Sequence, residues 1–164
     1  MEIVFDSSTL ILLAKIEILR TVSEDFRIII PGRIKEESTR KDTFDSKLIS
    51  SLIGAGNIKV LKMAKQDMVI NLCKDFGIHA GEAEALALAI DRNVPLAVDD
   101  LPAIKACKIV NRPFTTAIHF LLKVAASGKI SRDTASVKLE KLTYYGRYSK
   151  RIIDDAYSRL RGGA

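Results

Sequence analysis

The chain has 164 residues, 48% of them hydrophobic, which suits one domain with a sizeable core and excludes a disordered chain. Its formal net charge of +6 favours an anionic partner, nucleic acid above all. Cys73 and Cys107 are far apart and have no CxxC spacing; they read as reduced, partly buried thiols of a cytosolic protein, and only His79 and His119 are available to join them, which argues against zinc.

The N-terminus shows neither the basic region nor the cleavage site of a signal peptide, and its apolar run stops at Lys15, too short to cross a membrane. Glu2 to Phe5 is a short strand, and Ser7, Ser8 or Thr9 is placed to cap the apolar helix that begins at Leu10. Glu17 to Val22 continues as a further helical turn or short helix. Arg27-Ile28-Ile29-Ile30 is an apolar, β-branched strand stopped by Pro31, and such a strand is buried on both faces, as in a parallel sheet. A helix starts near Pro31-Gly32. Residues 44 to 54 are helical by periodicity, with Phe44, Leu48, Ile49, Leu52 and Ile53 on one side. Asn57 to Met63 is a candidate strand, 65 to 76 an amphipathic helix and 81 to 92 an alanine-rich one. Pro95 to Val98 reads as a strand, 101 to 108 as a helix, and Val110 to Phe114 as the last strand. Thr115 or Thr116 caps an apolar helix ending before Gly128, and two helices near 131 to 142 and 149 to 160 close the chain. Alternating strands and helices predict an α/β fold, a three-layer α/β/α sandwich with a mostly parallel central sheet. One domain over residues 1–164 is expected, with the last two helices packed on it.

Carboxylates recur at strand-to-helix junctions, the edge where open α/β sheets carry their chemistry: Asp6, Glu36-Glu37, Glu82 with Glu84, and Asp99-Asp100. Helical geometry separates the pairs. Glu82 shares a face with Leu86, Ala89 and Ile90 and lies nearest the helix N-terminus, whereas Glu84 shares the face of Asp91, expected to meet water. Glu37 lies three residues after Ile34 and shares its face; Glu36 groups with Arg33 and Arg40. Asp100 precedes Leu101-Pro102 and suits an N-cap, leaving Asp99 to face the site, but the reverse assignment stands equally.

The order Asp6, Glu37, Glu82, Asp99/Asp100 resembles the PIN-domain nucleases, and most closely the small prokaryotic PIN proteins of the VapC toxin type. The branch it resembles has the signature seen here as Gly81-Glu82-Ala83-Glu84-Ala85. The resemblance runs over nearly the whole chain, from Asp6-Ser7-Ser8 through Leu96-Ala97-Val98-Asp99-Asp100. Two departures are visible: Ala103-Ile104-Lys105 stands where the branch often has Ala-Arg, and Pro113-Phe114-Thr115-Thr116 where it often has Gly-Thr. The resemblance implies hydrolysis of RNA, an antitoxin protein as partner, and a homodimer.

Hard carboxylate oxygens select Mg²⁺ or Mn²⁺, and crowded carboxylates repel one another unless a cation neutralises them. The expected metal ligands are Asp6, Glu82 and Asp99 or Asp100, with Glu37 acting through water or as a base. Taken alone, Asp6 reads as a helix cap and Glu82 as a helix-start residue; His79 reads as a loop residue and His119 as a core-edge histidine. Two other readings compete. Asp6-Ser7-Ser8-Thr9 loosely resembles the opening motif of haloacid-dehalogenase-like phosphatases, but Ser8 stands where that chemistry needs a second aspartate. A PIN-like binding module without turnover would be favoured by a lost carboxylate, and none is lost. Finally, Tyr144, Tyr145, Tyr148 and Tyr157 lie among Lys141, Arg147, Lys150, Arg151, Arg159 and Arg161. They are expected to pack the last two helices on the domain, with RNA contact and a protein interface as the other uses.

Overall fold

The computed structural model describes residues 1–63 and 65–162. Its elements are β1 (Glu2–Phe5), α1 (Ser7–Lys15), α2 (Leu19–Asp25), β2 (Arg27–Pro31), α3 (Gly32–Thr39), α4 (Phe44–Gly54), β3 (Ile58–Leu61) and α5 (Gln66–Phe76). These are followed by α6 (Ala80–Arg92), β4 (Leu96–Ala97), α7 (Leu101–Ile109), β5 (Phe114–Thr115), α8 (Ala117–Ala126), α9 (Arg132–Tyr145) and α10 (Lys150–Leu160). The strands form one sheet in the order β3-β2-β1-β4-β5, and every neighbouring pair is parallel.

Ile28, Ile29 and Ile30 are fully buried, as a strand covered on both faces must be. β1 is central: Val4 stands opposite Ile29 on one side and Leu96 on the other. Right-handed parallel crossovers send the connections leading to β2 and β3 over one face and those leading to β4 and β5 over the other. α1, α4 and α8 accordingly pack as one group, and α5, α6 and α7 as another, with α6 against β1, β2 and β4. The strand order reverses between β1 and β4. The carboxyl ends of those two strands flank the crevice where doubly wound sheets place ligands, and Asp6 and Asp99-Asp100 follow them directly.

The structure corrects several local expectations. Glu17 takes a left-handed conformation, φ 59°, which breaks the chain between α1 and α2, so the second helix begins at Leu19. β4 and β5 pair over only two residues each. Val110 is not in a strand: it closes α7, Asn111 turns with φ 52°, and Arg112 N donates to Cys107 O at 2.8 Å. The apolar residues near 107 to 110 therefore finish a helix. The cap of α1 is Asp6 itself, and none of the three hydroxyl residues after it holds that position.

α6 is almost wholly enclosed. Ala83, Ala85, Leu86, Ala87 and Ala89 have no exposed surface, and the small side chains let the sheet and three helices approach it together. This removes the solvent face expected for Glu84, whose side chain is 13% exposed and lies 3.6 Å from Arg33 Nε of α3. The two C-terminal helices pack by Leu139, Leu142, Ile153, Ala156 and Leu160, which belong to the common core. Lys138 Nζ donates to Ile16 O at the end of α1 at 2.6 Å. Cys107 is buried, and burial pushes its thiol up to about 11, which keeps it protonated and unreactive. Among the described residues no helix is long and apolar enough to cross a membrane.

An aromatic cluster joins the sheet to α8. Phe120 stacks on Phe5 at 5.2 Å between centroids and meets Phe26 edge-on at 5.5 Å. Phe120 is fully buried, so Phe120→Ala is expected to cost about 3–5 kcal/mol, measured by urea unfolding, whereas a loss below about 1 kcal/mol would contradict this packing.

Candidate active site

Asp6 occupies the end of β1 because its backbone is held there: Asp6 N donates to Ala97 O of β4 at 2.9 Å. Its side chain is divided in use. Oδ2 accepts from Ser8 N at 3.1 Å and Ser8 Oγ at 2.6 Å, capping α1, while Oδ1 is buried and has no hydrogen-bond partner. A buried carboxylate oxygen without a donor is costly, a cost that a proton, a hydrogen-bond donor or a cation relieves.

Other carboxylates converge on Asp6. Burial is the largest influence raising its pKa above the ordinary 3.8, and the charge of Asp100 raises it further, while hydrogen bonds from Ser8 and Ser7 oppose this. Glu82, in the first turn of α6, is likewise pushed up by burial and then by Asp100 and Asp6, against the hydrogen bond that its Oε2 accepts from His79 N at 2.8 Å. His79, expected in a loop, is thus the N-cap of α6. Glu37 sits at the rim. Its residue surface is exposed, but its carboxyl end is half covered, and its pKa rises through burial, then Asp6, against Ser7, Arg33 and Arg40.

Gly81 makes room for Glu37. A Cβ on Gly81 would lie 2.8 Å from Glu37 Cδ, closer than real Cβ atoms come, so the carboxylate of α3 rests where α6 has no side chain. A glycine in the first turn of an otherwise alanine-rich helix is the sequence signal of such an approach.

The two adjacent aspartates have different surroundings. Asp99 is saturated with donors. Thr9 Oγ1 donates to its Oδ2 at 2.6 Å, Ala117 N is shared between its two oxygens at 3.0 and 3.2 Å, and the Tyr148 hydroxyl donates to Oδ1. It thereby takes over the cap of α8, where the N-cap residue Thr116 makes no side-chain cap bond. Burial still raises the Asp99 pKa, opposed by Thr9, Tyr148 and Ala117. Asp100 sits at the N-cap position of α7, but its side chain makes no cap bond. Its charge reaches both Asp6 and Glu82. The fold thus gathers Asp6, Glu37, Glu82, Asp99 and Asp100 at one sheet edge. Tyr148, Thr9 and Ser8 also belong there; Tyr148 comes from 49 residues beyond Asp99, and no local pattern pointed to it.

A family model described as DUF3368: PIN domain matches residues 2–161. The chain belongs to the PIN-domain family. No curated protein matches it. PIN domains are in general nucleases that use divalent metal ions. The residues present fit such an ion: the donor set is all carboxylate, Asp6 Oδ1 is uncommitted, and the charge of Asp100 bears on Asp6. Among the described residues, no three Asp, Glu, His or Cys side chains stand close enough to form a ready-made cation cage.

Two tests follow from this PIN-domain geometry. The folded pKa of Asp6 is raised above 3.8, so the stability it confers is full below 3.8 and is lost as pH rises through the folded value. Asp6→Asn keeps an oxygen for the α1 cap and removes the charge. It is expected to melt higher than the native chain at neutral pH in EDTA, the difference vanishing in acid; calorimetry giving a lower neutral-pH Tm would refute this. Gly81→Ala should gain the usual helix preference of roughly 0.5–1 kcal/mol while displacing the Glu37 carboxylate. An unchanged or higher Tm with at least tenfold slower nucleic-acid cleavage is the expected pairing, and native activity would show that Glu37 is not needed where it lies.

Proposed function

We propose that this PIN-domain protein is a metal-dependent endoribonuclease that hydrolyses RNA phosphodiester bonds, the toxin of a type II toxin–antitoxin pair acting in the cytoplasm. The observation that carries the enzymatic part is the buried, donorless Oδ1 of Asp6 at the β1/β4 crevice, where the charge of Asp100 also bears on it.

In this reading Asp6, Glu82 and Asp100 hold Mg²⁺ or Mn²⁺, and Asp99 sets the positions of α1, α8 and the turn after α9 around them. The bound cation would supply charge neutralisation at the phosphodiester and a lowered pKa for water. The chain's own residues do the rest. Asp6 is fixed through its Ser8 bonds, so its free oxygen keeps its direction. Glu82 is fixed through the N–H of His79. Glu37, at the rim with a raised pKa, would accept the proton of an attacking water. Neither His79 nor His119 is asked to act as a nucleophile.

The preference for RNA, the antitoxin and the homodimer rest on the family resemblance and on the +6 net charge. A basic chain draws in a polyanion over distance, while the local acidic site demands a cation before the phosphate can settle. The deciding experiment is cleavage of mixed single-stranded and structured RNA with Mg²⁺ or Mn²⁺, with EDTA, and with Asp6→Asn. Metal-dependent cleavage abolished in the folded variant is expected; unchanged cleavage by Asp6→Asn would sink the metal-site reading.

A further inference from the structure

We propose that the turn between α9 and α10 forms the wall of a subsite that takes single-stranded RNA beside the acidic centre, with Tyr145 stacking on a base and Arg147 contacting a phosphate. This deepens the ribonuclease reading and rests on it. A groove of about 360 Å³ opens next to Asp99 and Asp100, floored by Ile11 and Leu12 of α1 and walled by Lys15, Tyr145 and Arg147. Its volume lies near the low end of the roughly 300–1,000 Å³ of small-ligand pockets, which suits a nucleotide or so of a single strand and not a duplex.

The residues divide by role. Lys15 is already engaged: its Nζ lies 4.9 Å from the centre of the Tyr145 ring and 3.6 Å from Asp45 Oδ1. It braces one face of the ring. The Tyr144 and Tyr145 rings stand at 82° to one another with centroids 5.1 Å apart, and Tyr145 remains 46% exposed. With Lys15 on one face, the remaining exposed surface of the ring is the part proposed to take a base, a contact that any base can make. Arg147 is exposed and, among the described residues, no carboxylate lies within ion-pair distance of it, so its charge is available to a phosphate.

The wall is anchored to the acidic centre. Tyr148 donates its hydroxyl to Asp99, and its ring lies against Gly146, where a Cβ would stand 2.9 Å from Tyr148 Cδ2 and 2.9 Å from Leu142 O. Gly146 is therefore needed for the chain to bring Tyr148 inward. Tyr145 precedes that anchored segment and Arg147 lies within it, so their backbone is set before a strand arrives, which reduces the ordering cost of binding.

The test uses Asp6→Asn as the cleavage-silent parent and a fluorescein-labelled single-stranded RNA oligonucleotide, with a hairpin duplex of matching length, read by anisotropy in Mg²⁺ buffer. Tyr145→Ala and Arg147→Ala are each expected to weaken single-strand binding about tenfold, with Tyr145→Trp near the parent. Arg147→Ala should also flatten the dependence of log affinity on log salt by about 0.7. Circular dichroism verifies folding, and both side chains are exposed enough for the variants to fold. Parent-like affinity in both alanine variants, or a duplex bound equally well through the same residues, would overturn the subsite. The native chain's own cleavage assay separates the two failures: no cleavage together with binding lost in the groove variants would refute the nuclease and uphold the groove, whereas cleavage with groove variants that bind normally would do the reverse.

Discussion

Everything at this sheet edge depends on how Asp6 is buried. Its backbone is locked between β1 and β4, and one carboxylate oxygen is spent on the first turn of α1 through Ser8. The remaining oxygen has nowhere to turn, because rotating it toward a donor would break the cap. The helix-capping function and the candidate ligand function are therefore not alternatives. The cap is what holds the second oxygen still, and preorganisation of that kind is what a metal or transition-state site requires.

The same edge treats its two kinds of acid differently. Burial raises the pKa of Asp99 too, but three donors, one of them the first N–H of α8, oppose that rise. Asp6, Glu82, Glu37 and Asp100 compensate one another badly: burial raises the first three, and Asp6 and Asp100 raise their neighbours further. Such a local conflict is tolerated by a fold whose remaining elements agree with one another, and it is typical of functional sites. The net charge of +6 is the long-range counterpart: on the proposed reading a polyanion is attracted to the molecule and then meets carboxylates, so its approach would need a cation.

Much of the fold was legible because hydrophobic patterning is dense here. Ile28-Ile29-Ile30 announced a parallel strand, and the order of strands and helices followed from period and punctuation. The short β4 and β5 were misjudged in extent because two-residue pairings leave almost no pattern. The five acids were legible as junction residues. Their individual roles were not, because those depend on distant partners. On the proposed reading, Asp99 and Asp100 are told apart by Thr9, Ala117 and Tyr148, which donate to Asp99 and are none of them its neighbours in sequence. The fate of Glu84 is decided by α3, which covers the face of α6 that periodicity assigned to water. Two glycines were clues of another sort. Gly81 and Gly146 each occupy a place where a Cβ would collide with a side chain of the site, Glu37 in one case and Tyr148 in the other.

Gly146 also explains why the C-terminal helices are more than an attachment. α9 and α10 share the core through Leu139, Leu142, Ile153 and Leu160, and α9 is tied to the end of α1 by Lys138. Packing of this kind would hold even if the turn between them pointed away from the sheet edge. It does not: Gly146 lets Tyr148 fold inward to Asp99, the aspartate that also caps α8 and receives Thr9 of α1. One carboxylate thus joins the first helix, the eighth and the last turn of the chain around the β1/β4 crevice. A shift in that turn would be felt by Asp99 through a single hydrogen bond, and by the adjacent Asp100 through the peptide between them. On the proposed reading, the part of the chain farthest in sequence from Asp6 helps to set the geometry in which Asp6 works.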